Sequence, residues 1–160
     1  MLSAMDEIFT ATQSSRWSYQ GTVCSFEKCF QNYWTKGMGN GSCFEFNNGA
    51  KSGWARLQLP RKYTVKKLHF YLCNTNKNYN YFFDFKISED GGTTYTTLNR
   101  YTISNADFPH ISNLYITNPY LEIPINKSIT EFYLDFPTQE QDLMWANHYA
   151  LRMDHVILFI

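Results

Sequence analysis

The run Phe83–Ser88, "FDFKIS", alternates Phe83, Phe85 and Ile87 with Asp84, Lys86 and Ser88. A strand with one buried and one wet face sorts its side chains with a period of two. The triplet Asp90-Gly91-Gly92 follows, and Asp-Gly marks a tight hairpin turn because glycine adopts positive φ freely. "TTYTTL" then reads as the return strand. Glu89 and Asp90 are adjacent carboxylates at the hairpin tip, where turn chemistry and solvation account for both.

The same pattern extends in both directions. "WARLQLP" alternates Leu57 and Leu59 with Arg56 and Gln58, and Pro60, which lacks an N–H, is expected to end that strand. "YTVKKLHFYL" sets Val65, Leu68, Phe70 and Leu72 towards one side. "NLYITNPYLEIPI" reads as two short strands around an Asn-Pro turn. "SITEFYLDFP" turns Phe132, Leu134 and Phe136 inward, and "YALRMDHVILFI" is a long apolar closing strand. Helix is limited to a turn near "AMDEIF" or "EQDLMWAN". Short strands separated by turn clusters mean a sandwich or barrel. The chain is expected to be all-β, one domain over 1–160, with 1–13 as a lead-in segment. An aromatic content of 18% fits such pleated, half-buried surfaces.

Charge narrows the function. Fourteen basic and 14 acidic residues leave zero net charge, which argues against an electrostatic nucleic-acid binder or a polybasic membrane anchor. No run approaches the ~20 apolar residues of a membrane span. The opening "MLSAMDEIFTATQ" has neither the basic nor the apolar region of a signal peptide. Cys24, Cys29, Cys43 and Cys73 contain no CxxC pair, so a structural zinc site is not expected, and three pairings stay open if they oxidise. Sequons stand at Asn40 and Asn126. The compartment is open: extracellular or a cell or virion surface if this is a domain of a longer chain, cytoplasmic if it is complete.

The order of the pieces carries more than any one of them. "GWARLQLPRKYTVKKLHFYL", "FKISEDGGTTYTTL", "EFYLDFP" and "YALRMDHVIL" together resemble the discoidin family, which includes coagulation-factor C-type domains and galactose-binding-like carbohydrate modules. The matching positions are Trp54, Leu57, Leu59, Tyr63, Thr64, Val65, Leu68, Lys86, Ile87, Ser88, Asp90, Gly91, Tyr95, Leu151, Arg152 and Leu158. "FEKCFQNYWTKG" resembles a contracted form of the family's first segment, so the likeness runs from about Ser14 onward. It implies a jelly-roll β-sandwich of about eight main strands. It also implies a structural calcium, but Gln31 and Asn32 stand where the family has an acidic ligand, and His155 or its neighbours replace a late glutamate. Calcium prefers charged oxygen ligands, so no cofactor is expected. The coagulation-factor branch closes with a disulfide, and no cysteine follows Cys73 here.

Catalysis has no recognisable constellation. His69, His110, His148 and His155 lack a Ser or Cys nucleophile motif, and the plain reading of each is a surface or hydrogen-bonded structural histidine. The resemblance instead implies a ligand site on loops at one end of the sandwich. The matching loops are Asn32–Ser42, Cys73–Tyr81 and Thr138–Tyr149. Sugar recognition needs an aromatic face for the ring and polar groups for its hydroxyls. Tyr33, Trp34, Lys36, Asn76, Asn78, Tyr79, Trp145, Asn147 and His148 are the candidate contacts. Trp34 also suits a core position and the asparagines suit ordinary turns, whereas Trp145 is a large aromatic in a polar loop. The expected partner is a glycan or glycoprotein. The alternative is a protein-assembly module, either an intracellular adaptor or a viral structural component, whose partner is a protein or the remainder of a larger chain. A lipid-binding variant is represented only by "KGM" at Lys36 to Met38.

Overall fold

The computed structural model describes residues 10–14, 18–19, 22–23, 49–74, 80–104, 120–140, 143 and 151–160. These form eight strands: β1 (Thr10–Gln13), β2 (Ser18–Tyr19), β3 (Thr22–Val23), β4 (Gly53–Asn74), β5 (Tyr81–Ser88), β6 (Thr96–Ile103), β7 (Tyr120–Phe136) and β8 (Leu151–Phe159). The last four residues of the expected lead-in segment are thus β1, paired to β4. All described pairing is antiparallel, with sheet order β1-β4-β7-β5-β6, β8 joining β4, and β2 pairing β3.

Two strands are unusually long, and they correct the sequence reading. "WARLQLP" and "YTVKKLHFYL" are one strand, β4. "YLEIPI" and "SITEFYLDF" are likewise one strand, β7, while Asn118 and Pro119 lie outside the described residues. Pro60 does not end its strand. Between the pairs Gln58↔Glu131 and Tyr63↔Ile129, the segment Leu59–Lys62 bulges opposite Thr130, where a missing N–H disrupts no ladder bond. A second register shift lies between Val65↔Lys127 and Lys67↔Pro124, and opposite it Asn126 takes φ 52°. Asparagine tolerates this left-handed conformation better than most residues. Pro124 is placed on the half of β7 that has only β4 as a described partner, where a proline is tolerated.

These bulges turn a corner. Leu57 pairs with Phe132, and Phe70 stands thirteen residues further along the same strand. A straight strand at ~3.3 Å per residue would separate them by about 40 Å. Yet the Phe70 ring lies 6.0 Å from Phe132 and 6.2 Å from Phe85, edge-on to both. The two halves of β4 and β7 are therefore folded over one another. One layer holds β1, the first half of β4, the second half of β7, β5 and β6. The other holds β8 with the second half of β4 and the first half of β7.

The core fills the space between the layers. Leu57, Phe83, Phe85, Phe132 and Leu134 of the first layer face Leu68, Phe70 and Ile123 of the second, all fully buried. The expected inward sets Phe83/Phe85/Ile87 and Phe132/Leu134/Phe136 are confirmed by burial. The break in period between Val65 and Leu68 is the imprint of the second bulge.

The β5–β6 connection also differs from the expected tight hairpin. β6 begins at Thr96, not at Thr93, so residues 89–95 form a longer loop. Gly91 and Gly92 do take positive φ, 74° and 85°. Asp90 organises the loop: its carboxylate accepts from the Ser88 hydroxyl (2.8 Å), the Thr94 N–H (2.9 Å) and the Thr94 hydroxyl (2.6 Å). Such side-chain-to-backbone closure replaces the ladder bonds of a two-residue turn.

Candidate functional site

β4 leaves one end of the sandwich at Gly53, turns the corner at the other end, and returns at Asn74. This path decides where the loops lie. Residues 75–80 cross from the second layer to the first, and residues 137–150 cross back from Phe136 to Leu151. Asn74 pairs with Leu151, so one loop departs beside the arrival of the other. The segment entering Gly53 joins them through backbone bonds: the Gln139 N–H donates to the Lys51 carbonyl (2.8 Å), and the Leu143 N–H to the Ala50 carbonyl (2.5 Å). The described ends of the Cys73–Tyr81 and Thr138–Tyr149 segments thus meet at one end, beside residues 50–51.

A single side chain holds the centre of this junction. Gln139 is buried, and its Oε1 accepts from the Phe82 N–H (3.1 Å). Its Nε2 donates to the Phe82 carbonyl (3.0 Å) and to the Pro137 carbonyl (2.6 Å). The amide therefore imitates one rung of a β-ladder, closing the start of β5 against the exit of β7. Leu143, fully buried, is a second anchor in the same connection. Neither position stands out in "TQEQDLMWAN": nothing in the sequence marks Gln139 as buried.

The nine candidate contacts, Tyr33, Trp34, Lys36, Asn76, Asn78, Tyr79, Trp145, Asn147 and His148, all lie outside the described residues, as do Gln31, Asn32, Cys24, Cys29, Cys43, Asn40 and His110. Among the described residues no group of three His, Cys, Asp or Glu could hold a metal ion.

Of the histidines, His69 is described fully. It is buried on β4, with Nε2 2.8 Å from a Glu122 carboxylate oxygen, and it stacks on Tyr120 at 4.1 Å. Lys67 donates to the same oxygen, and these two contacts hold the Glu122 carboxyl below the usual carboxylate range. His69 is a hydrogen-bonded structural histidine.

The outer face of the first layer is closed upon itself. Arg100 grips Asp84 through two hydrogen bonds (2.7 and 2.9 Å), which lower the carboxyl's pKa. Lys86 donates to Asp135 at 2.7 Å, which raises the ammonium's pKa. Nearer the corner, Tyr95 donates to the buried Glu131, and Arg56 donates to the Tyr95 oxygen at 3.2 Å while stacking over Trp54. Burial, with that carboxylate as neighbour, pushes the Tyr95 phenol up.

No family model and no curated protein matches the sequence. Solved structures do match in fold. Chitosan-binding module 1 of a chitosanase/glucanase from Paenibacillus sp. IK-5 superposes with a TM-score of 0.61 at 14% identity, covering 98% of this chain and 97% of that one. CpGH89CBM32-5 from Clostridium perfringens, solved with GalNAc-β-1,3-galactose, gives 0.63 at 14%, covering 95% of each. The fold is the discoidin-type, galactose-binding-like β-sandwich. A third such sandwich, the lectin binding domain of lectinolysin complexed with Lewis b, matches at 0.60 and 16% identity over 98% of this chain and 93% of its own. The galactose-binding-like sandwich expected from the order of motifs is therefore the fold observed.

Proposed function

We propose that this chain is a non-catalytic carbohydrate-binding module whose ligand site is the loop end of the sandwich. The observation that carries the reading is the bonding of Gln139 to Phe82, Pro137 and Lys51, which brings together the described ends of the Cys73–Tyr81 and Thr138–Tyr149 segments. Those segments hold Asn76, Asn78, Tyr79, Trp145, Asn147 and His148, rings and amides of the kind that cover the apolar face of a sugar and bond its hydroxyls, and Tyr33, Trp34 and Lys36 are proposed to join them. Support comes from near-full-length matches to modules whose names state chitosan, GalNAc-β-1,3-galactose and Lewis b as ligands. Galactose-type glycans are the first ligands to try, with Trp145 as the stacking platform and no metal required.

A glycan array followed by calorimetric titration tests this. Binding of a galactose- or GalNAc-terminated glycan is expected, unchanged by chelator and weakened about tenfold or more in Trp145→Ala, a loss of roughly 1.4 kcal/mol. An empty array, with Trp145→Ala inert, would overturn the glycan reading and leave protein assembly as the role of this end.

A further inference from the structure

We infer that Gln139 is the positioning residue that couples the described stems at Lys51, Phe82 and Pro137 into one unit. This inference rests on the carbohydrate reading only for its binding readout. These three points, at least 31 residues apart along the chain, all depend on this position. Its side chain fastens Phe82, which closes the 75–80 loop, and Pro137, which opens the 137–150 loop. Its main chain fastens Lys51, at the exit of the segment that leads into β4. Because the side chain is buried, water does not replace these bonds when the amide is removed, and Phe82 would be left with both backbone groups unpartnered. Leu143 repeats the connection to Ala50 four residues on, so Gln139 and Leu143 are both tied to 50–51. A ligand held by side chains from two or more of these loops needs their stems in fixed relation, and one amide supplies that relation.

The amide is also spent. Both of its donor directions and one of its two acceptor positions are engaged by main-chain groups, and the side chain is buried, so Gln139 acts as support and not as a ligand contact.

The test is Gln139→Met, which keeps the volume and removes the three side-chain bonds, alongside Gln139→Glu, which keeps the acceptor for Phe82 N–H but turns an acceptor towards two carbonyls. Residue-resolved amide exchange and glycan titration are read on both. Gly91→Ala, at the opposite end, serves as a control destabilised without touching the junction. Expected is faster exchange at Phe82 together with Gln139 and Leu143, and at least tenfold weaker glycan binding, in both Gln139 variants. Gly91→Ala should change neither. Exchange released at Phe82 alone, with Gln139 and Leu143 still protected, would overturn the coupling. So would unchanged affinity despite full release. If wild-type protein binds no glycan, the carbohydrate reading falls by itself, and joint or isolated release of the three amides still decides the coupling. Should Gln139→Met not fold, the same measurements on Gln139→Glu decide it.

Discussion

At the corner end of the sandwich, polar side chains are satisfied by one another; at the loop end, the described stems are held by main-chain bonds and one glutamine. Asp90 takes Ser88 and Thr94, Thr130 joins the Gly91 N–H to the Ser88 carbonyl, and Glu131 takes Tyr95. Gly92 approaches so closely that a Cβ there would stand 2.7 Å from a Glu131 carboxylate oxygen. Arg56 Nε, buried 3.6 Å from a Glu131 carboxylate oxygen, lacks a hydrogen-bond partner, and the rest of this connected network rigidifies the fold. At the loop end, main-chain bonds and the Gln139 amide hold the described stems. The difference teaches that the corner is fixed by side-chain pairing and the described stems chiefly by bonds to the main chain.

Four substitutions at the corner end test that difference, and under the proposed carbohydrate reading the glycan affinity of the folded protein should in each stay at the wild-type value. The largest effect is expected for Glu131→Ala. It leaves the Tyr95 hydroxyl and the Arg56 guanidinium without their carboxylate, a loss of about 3 kcal/mol on chemical denaturation. A folded Glu131→Ala protein that no longer binds glycan would break the comparison by showing that the two ends are coupled.

Next comes a pair of glycine substitutions. Gly91→Ala meets open space and incurs only the left-handed backbone penalty, about 1 kcal/mol. Gly92→Ala adds a collision with Glu131 and should destabilise by about 2 kcal/mol. Equal losses would mean that Glu131 moves aside freely and that the corner is looser than its hydrogen bonds imply.

The smallest effect is confined to acid. Hydrogen bonds from the Thr94 hydroxyl, the Thr94 N–H and the Ser88 hydroxyl lower the Asp90 pKa from 3.8 to about 2. The folded value lies below the unfolded one, so this contribution is present above about pH 4 and fades as the pH falls towards 2. Asp90→Asn should remove that part of the acid limb in a melting-temperature profile and leave its shape above pH 5 unchanged. An identical acid limb in both proteins would show that the loop does not depend on an ionised carboxylate.

Much of the fold was legible because alternation is local. Phe83, Phe85 and Ile87 announce a half-buried strand from six residues, and Gly91 and Gly92 announce a reversal from two. The histidine reading was legible in the same way for His69, which belongs to no recognisable nucleophile motif and proves to be paired with Glu122. What misled was punctuation. Pro60 resembles a strand end until its partner is known, because a bulge opposite Thr130 excuses its missing N–H. The seven residues after Ser88 resemble a tight turn until Asp90 is seen to close a longer loop through its side chain.

By itself, the sequence determined that the chain would be built from strands with one apolar face, where its main reversal would fall, and, through the order of its motifs, which sandwich they would form. Hydrophobic period and glycine conformations are properties of a few neighbouring residues, so they survive without knowledge of partners. Only the tertiary structure decided that four apparent strands were two bent ones, that the Asp90 loop lies at the corner end while the stems at Lys51, Phe82 and Pro137 lie at the other, and that Gln139 is buried and bonded to Phe82. Those facts depend on pairing between residues far apart in the chain, such as Phe82 with Gln139 and Leu57 with Phe132, and no local pattern records which groups such pairing will bury.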